Sequence, residues 1–193
     1  MAVFQTYQTV GIREDLADII YSISPTETPF MSGIAKEKAT NTSHQWQTDA
    51  LAAVAANHAV EGADISYGTM SATTKEENHT QISTKGVQVS GTNEAVTSAG
   101  RANELAYQVA KAAKELKRDM ETALLSNVAK AAGNATTARK LGGCQTWIET
   151  NVDAGAGGSG SGNGAARTDG TQRAFTEDQL KGVLRSCFNE GGN

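Results

Sequence analysis

Apolar and polar positions change their period several times along this chain. Residues 12–23, IREDLADIIYSI, place Leu16, Ile19, Ile20 and Ile23 at i, i+3, i+4 and i+7. Glu14, Asp15 and Asp18 sit near the N-terminal end, where the helix dipole favours acids. The spacing predicts a short amphipathic helix. Pro25 stops it, because the residue before a proline avoids the α region and the ring cannot continue the hydrogen-bond ladder. Thr28 is placed to cap a new turn with Pro29 at its first position, where a missing N–H costs nothing. That turn, PFMSGI, presents Phe30, Met31 and Ile34, and Gly33 ends it or lets another backbone come close. The chain's only two prolines thus form one elbow, SPTETPFMSGI, across residues 24–34.

From Thr40 to about Ala95 the period becomes two. SHQWQTDAL (43–51) and TQISTKGVQVSGT (80–92) alternate as strands do, with a bulge expected at Lys85-Gly86. The stretch between them is small and polar. The expectation is a hairpin with a long tip and little of its own to pack against, which is marginal in water unless something else holds it.

Residues 101–132 give the clearest helix. Leu105, Val109, Ala112, Leu116, Met120, Leu124 and Val128 trace one stripe, expected as core, with Lys111/Glu115 and Lys117/Glu121 paired on the polar side. Gly133-Asn134 is the expected stop, for a length of roughly 45 Å. LGGCQTWIETNV then reads as a turn and a strand or short helix, and AGAGGSGSGNGAA (154–166) as a flexible surface loop. TEDQLKGVLRSCFNEGGN reads as a helix capped by Thr176, with Leu180, Val183, Leu184 and Phe188 as its apolar face. The fold class is α+β.

Composition changes this picture. Of the 193 residues, 30 are alanine and only 32 are Leu, Ile, Val or Phe, too few for a comfortable self-sufficient core. Stability is therefore expected from association with neighbours, which removes apolar surface from water just as folding does. The net charge of −4 gives no electrostatic case for a nucleic-acid binder, and residues 1–100 carry 11 acids against 5 bases. Two distant cysteines, Cys144 and Cys187, read as reduced thiols. No leader pattern opens the chain and no apolar run approaches the ~20 residues that span a bilayer.

No chemistry of a familiar kind is expected: catalytic residues none, cofactor-binding residues none, metal ligands none. Gly155-x-Gly157-x-x-Gly160 matches a dinucleotide fingerprint in spacing but lacks the strand before it and the helix after it. His44, His58 and His79 have no ligand spacing between them or with the cysteines. Nor does a nucleophile elbow accompany them. Adjacent Glu76 and Glu77 would point to opposite faces of a strand, so they read as solvated charge. Trp46 and Trp147 read as packing or interface anchors.

This order of parts resembles the major capsid proteins of tailed bacteriophages with the Hong Kong 97-type fold. DLADIIYSISPTETPFMSGIAKEKATNTSHQWQTDAL (15–51) is similar to the N-terminal signature of the group typified by the SU-ten phage major head protein. GGCQTWIETNV (142–152) and TEDQLKGVLRSCFNEGGN (176–193) are similar to later segments of that group. The resemblance implies an N-terminal arm at 1–40, an extended β-hairpin loop at 41–93 that lies over a neighbouring subunit, and a peripheral domain with a spine helix at 94–135. It also implies the start of an axial domain at 136–193. Family chains continue past the Gly-Gly-Asn turn, so the chain is expected to be a partial sequence.

The function so implied is a major capsid protein, a non-enzymatic structural subunit of the icosahedral head. Its partners would be copies of itself, as pentamers and hexamers in a shell enclosing double-stranded DNA without sequence-specific binding. Scaffold, portal or decoration proteins would join it, and no membrane. It would reside in the virion, after assembly in the bacterial host cytoplasm. Inter-subunit contact is expected at Pro25, Pro29, Phe30 and Trp46. A filament or surface-layer subunit of flagellin-like kind is the alternative, since it would share the small-residue composition; it would also show heptads at both chain ends. A small hydrolase with a glycine-rich lid would need a nucleophile–base pair that the residues do not supply.

Overall fold

The computed structural model describes residues 7, 10, 15 and 17–192. The elements in order are α1 (Pro29–Gly33), β1 (Ser43–Thr48), β2 (Thr74–His79), α2 (Gly91–Ala95), α3 (Glu104–Leu125), a 3-10 turn (Cys144–Thr146) and α4 (Glu177–Asn189). The class is α+β, as its periodicities predict. The chain divides into two compact units, Met1–Pro29 with Ser83–Asp119, and Phe30–Ile82 with Met120–Asn193.

In the first unit, residues 17–28 run without helical structure, and Leu16 of the expected helix lies outside the described residues. Ile19, Ile20 and Ile23 are exposed. A twelve-residue helix without a surface for its apolar face is marginal in water, and that explains the difference. The segment is pinned instead by Asp18, whose carboxylate accepts the Gly100 N–H at 2.7 Å. Residues 80–90 form no ladder, and Ser90 caps α2 by accepting from Asn93 N at 3.3 Å. Lys85 reaches α3, 3.2 Å from Asp119 and 3.3 Å from Glu115.

The helix α3 begins and ends inside its expected span, at 104 and 125 rather than 101 and 132. Its 22 residues span about 33 Å. Gly133 does not stop it; tertiary contacts within the second unit do so earlier. Gln145 Nε2 donates to the Leu125 carbonyl at 2.6 Å, satisfying an acceptor that a longer helix would have used. Beyond it, Ala131 and Lys140 form an antiparallel bridge, and Lys130 N donates to Gly164 O at 2.8 Å. Gly143 sits so close to the end of α3 that a Cβ there would lie 2.0 Å from the Ser126 carbonyl oxygen.

The centre of the second unit is polar. Thr146 is completely buried. Its hydroxyl donates to Gly143 O at 2.7 Å, and its carbonyl accepts from Gly164 N at 3.1 Å and Ser161 Oγ at 2.8 Å. The glycine-rich stretch is a loop, as expected, but one that makes close contacts. It packs on residues 146–149, and its glycines are needed for close approach: a Cβ on Gly164, which has φ +81°, would lie 2.9 Å from the Trp147 ring. Downstream, α4 has the expected cap, with Thr176 N donating to Gln179 Oε1 at 3.0 Å. It ends in a Schellman motif, with Gly192 N to Cys187 O at 2.9 Å and Gly191 N to Phe188 O at 3.1 Å.

Among the described residues no apolar side chain is buried. The stripe expected as core is half exposed at Leu105, Val109, Met120 and Val128.

Candidate functional site

The strongest concentration of specific contacts lies at the base of the hairpin. β1 pairs antiparallel with β2, setting Gln45 opposite Glu77, Trp46 opposite Glu76 and His44 opposite Asn78. The second strand thus falls at 74–79 rather than 80–92. Neither strand faces an apolar core, so cross-strand polar bonds determine the pairing in place of an apolar alternation. On one face Glu77 accepts from Ser43 Oγ at 3.1 Å and Gln45 Nε2 at 3.3 Å. Those bonds, Ser43's first, hold its carboxyl below the ordinary value of 4.5. Glu77 is therefore engaged across the ladder rather than merely solvated.

The other face docks. Trp46 packs on Trp147 with ring centroids 4.9 Å apart and planes at 60°, a tilted arrangement suited to aromatic quadrupoles. His44 lies 6.0 Å from the Trp46 ring. Asn78 reads the backbone of Gly142 in both directions, Oδ1 accepting from its N–H at 2.9 Å and Nδ2 donating to its carbonyl at 3.3 Å. Lys130 Nζ donates to the Glu77 carbonyl at 2.9 Å and stands 5.2 Å from the Trp147 ring centroid. Arg139 Nε donates to Thr80 O at 3.3 Å, and Leu141 N to Gln81 Oε1 at 3.2 Å. The stretch between the two strands is open instead. In the tip, Leu51, Val54, Tyr67 and Met70 are each at least 94% exposed.

The elbow has its own anchor. Glu121 on α3 accepts the backbone N–H groups of Phe30 at 2.8 Å and Met31 at 2.7 Å. These N–H groups belong to the turn that Thr28 was expected to cap. The carboxylate displaces the Thr28 hydroxyl because a charged acceptor makes the stronger bond, and Glu121 is thereby diverted from the expected pairing with Lys117.

Of the four expected contact residues, Pro25 and Pro29 are exposed, while Phe30 and Trp46 are half buried. Trp46 is brought to Trp147, and the Phe30 N–H is held by Glu121 of α3. Asn78, Lys130 and Glu121 escaped the reading of the sequence, since a polar side chain that binds distant backbone leaves no periodic trace. The adjacent Gly142-Gly143 was the available signal for a close backbone approach. Among the described residues no three His, Cys, Asp or Glu side chains come together as a metal site, and no helix is long and apolar enough to cross a membrane. The arrangement is a clamp: it fixes the two ends of a protruding loop and leaves the loop's apolar side chains open.

Comparison with known proteins follows this geometry. Residues 3–193 match the family described as SU10 major capsid protein. The major capsid protein of Escherichia phage Phieco32 is 44% identical over 128 residues, which is 66% of this chain and 36% of that protein. The chain thus spans about a third of the length of that curated relative.

Proposed function

The chain belongs to the SU10 major capsid protein family, and from that premise we propose that it is a structural subunit, without catalysis, of the icosahedral head of a tailed double-stranded DNA bacteriophage. The observation that carries this reading is the absence of a buried apolar side chain among the described residues. Such a chain acquires burial from what surrounds it, and on this reading neighbouring copies in a shell contribute through many individually weak contacts.

On this reading the fold is of the Hong Kong 97 type, with residues 1–40 as the arm and 41–93 as the extended loop. Residues 94–135 carry the spine helix of the peripheral domain, and 136–193 open the axial domain. The clamp at the hairpin base sets the direction of the loop, and the exposed tip closes over a neighbouring copy in pentamers and hexamers. Pro25, Pro29, Phe30 and Trp46 contribute to contacts between copies, with Trp46 acting through its fixed position on Trp147. The shell encloses DNA without reading its sequence, and the subunit resides in the virion.

Electron microscopy of the purified protein tests this. Closed shells are expected. Open filaments, or a well-ordered solitary monomer, would overturn it.

A further inference from the structure

Asn163-Gly164 is the only Asn-Gly pair in the sequence. It lies in the glycine-rich loop, with Asn163 exposed to water and Gly164 buried. In such a pair the side-chain amide is open to attack by the next backbone nitrogen, because glycine has no Cβ to block the approach and its backbone turns freely. Both reacting groups are engaged here. Gly164 N, the nucleophile, donates to the carbonyl of the completely buried Thr146 at 3.1 Å. Asn163 Oδ1 accepts from Ala165 N at 3.0 Å, which fixes the direction of the amide. Two further bonds keep the loop seated: Lys130 N donates to Gly164 O at 2.8 Å, and Ser161 Oγ reaches the carbonyls of Thr146, at 2.8 Å, and of Ala165.

We infer that Asn163-Gly164 is a latent self-modification site, silent while the loop is docked on Thr146 and converted irreversibly to aspartate or isoaspartate when the loop opens. The only reactant besides the chain is water. Gly164 N gives up its proton and bonds to Asn163 Cγ; the Cγ–Nδ2 bond breaks, and Nδ2 takes up a proton and leaves as ammonia. Water then opens the five-membered imide at one of its two C–N bonds. Opening at Cγ gives aspartate, and opening at the backbone carbonyl carbon gives isoaspartate, whose main chain runs through Cβ and Cγ and is longer by one carbon. Aspartate keeps an acceptor for Ala165 N. The extra carbon of isoaspartate has no room. A Cβ at Gly160 would already lie 2.6 Å from the Ile148 carbonyl oxygen, and one at Gly164 2.6 Å from Lys130 Cδ and 2.9 Å from the Trp147 ring. The lengthened loop does not seat again, and Trp147, on which Trp46 packs, loses one wall. A passing opening is thereby made permanent. This inference depends on the loop alone and stands apart from the capsid reading.

The test incubates the full chain at mildly alkaline pH, native and in denaturing urea, and follows the amide-to-acid mass gain peptide by peptide. Asn57, in the open tip, is the internal reference that corrects for the effect of urea on the chemistry. Conversion proceeds only through the open fraction, so the native-to-denatured rate ratio at Asn163 should be at least about tenfold below that at Asn57. Equal ratios at the two positions would overturn the proposal. S161A, checked for its helices by circular dichroism, removes a bond to the same Thr146 carbonyl and should speed native conversion at Asn163 several-fold without changing Asn57. Chromatography separates the two products. The isoaspartate form should emit tryptophan fluorescence at longer wavelength than the unmodified chain, whereas N163D, with its ordinary backbone, should keep the native emission. Native emission from the isoaspartate form would show that the loop seats again, and would remove the permanence claimed here.

Discussion

Glu121 and Phe30 are 91 positions apart in the chain, yet the Glu121 carboxylate accepts the Phe30 N–H at 2.8 Å and takes the next N–H as well. The proline elbow is thereby stiffened twice, by its own φ restriction and by an ionised acceptor from the long helix. Replacing Glu121 with alanine leaves both donors without that partner. Hydrogen bonds to charged groups contribute about 1.5–3 kcal/mol, so amide exchange at Phe30 and Met31 should accelerate tenfold or more in E121A. E121Q, which keeps one carbonyl acceptor, should fall between. Unchanged exchange rates at both amides would show that the elbow holds itself.

The hairpin base depends on a contact between the chain's only two tryptophans, Trp46 and Trp147. A double-mutant cycle with W46A and W147A should return a coupling of about 1 kcal/mol beyond the area each buries. Tryptophan fluorescence gives an independent readout, because in W147A the remaining Trp46 loses its packed neighbour and should emit at longer wavelength. A coupling near zero would mean that the Asn78–Gly142 bonds alone hold the loop.

The α+β class, the long helix and α4 with its cap were all legible, because each has a period or an end signal that depends on neighbours in sequence. What was not legible depends on distant backbone. The strand at 74–79 is TKEENH, with no apolar alternation, and it pairs through Ser43, Gln45 and Glu77. The helix end at Leu125 is set by Gln145, twenty positions later. Trp46 was identified as an anchor from its type, but its partner Trp147 and the lysine over that partner became visible only in three dimensions. A chain with so few large apolar residues hides its pairing, since the usual trace of a contact is an apolar position.

Two glycines separate close approach from conformational entropy. A Cβ at Gly143 would lie 2.0 Å from the Ser126 carbonyl, which is backbone and cannot turn aside, so G143A should destabilise the second unit by about 1–3 kcal/mol. Gly182 lies inside α4 with nothing within 4 Å of an added Cβ. G182A should therefore raise stability by about 0.5–1 kcal/mol. Denaturant midpoints of the two variants check both signs. An identical shift in the two would contradict the packing described at the end of α3.

The two perturbed groups make opposite demands on pH. Glu77 is held below 4.5 by bonds from Ser43 and Gln45, so its contribution is complete above pH 4.5 and is lost as pH falls through the lower folded value. Lys85 is held above 10.5, first by its bond to Asp119 and then by Glu115; its contribution is complete below pH 10.5 and is lost as pH rises through the higher folded value. Lys85 is exposed and Glu77 only half-buried, so each effect is small and screened by salt. The loss on acidification should be local, visible as a change in Trp46 fluorescence below pH 4.5 that E77Q shifts or abolishes, because the amide cannot titrate. At the alkaline end, amide exchange at residues 83–90 should rise above pH 10.5 faster than the hydroxide-catalysed rate alone requires, and K85M should bring that excess on at lower pH. A Trp46 acid transition that is the same in E77Q would place its cause in other carboxylates and remove Glu77 from the clamp.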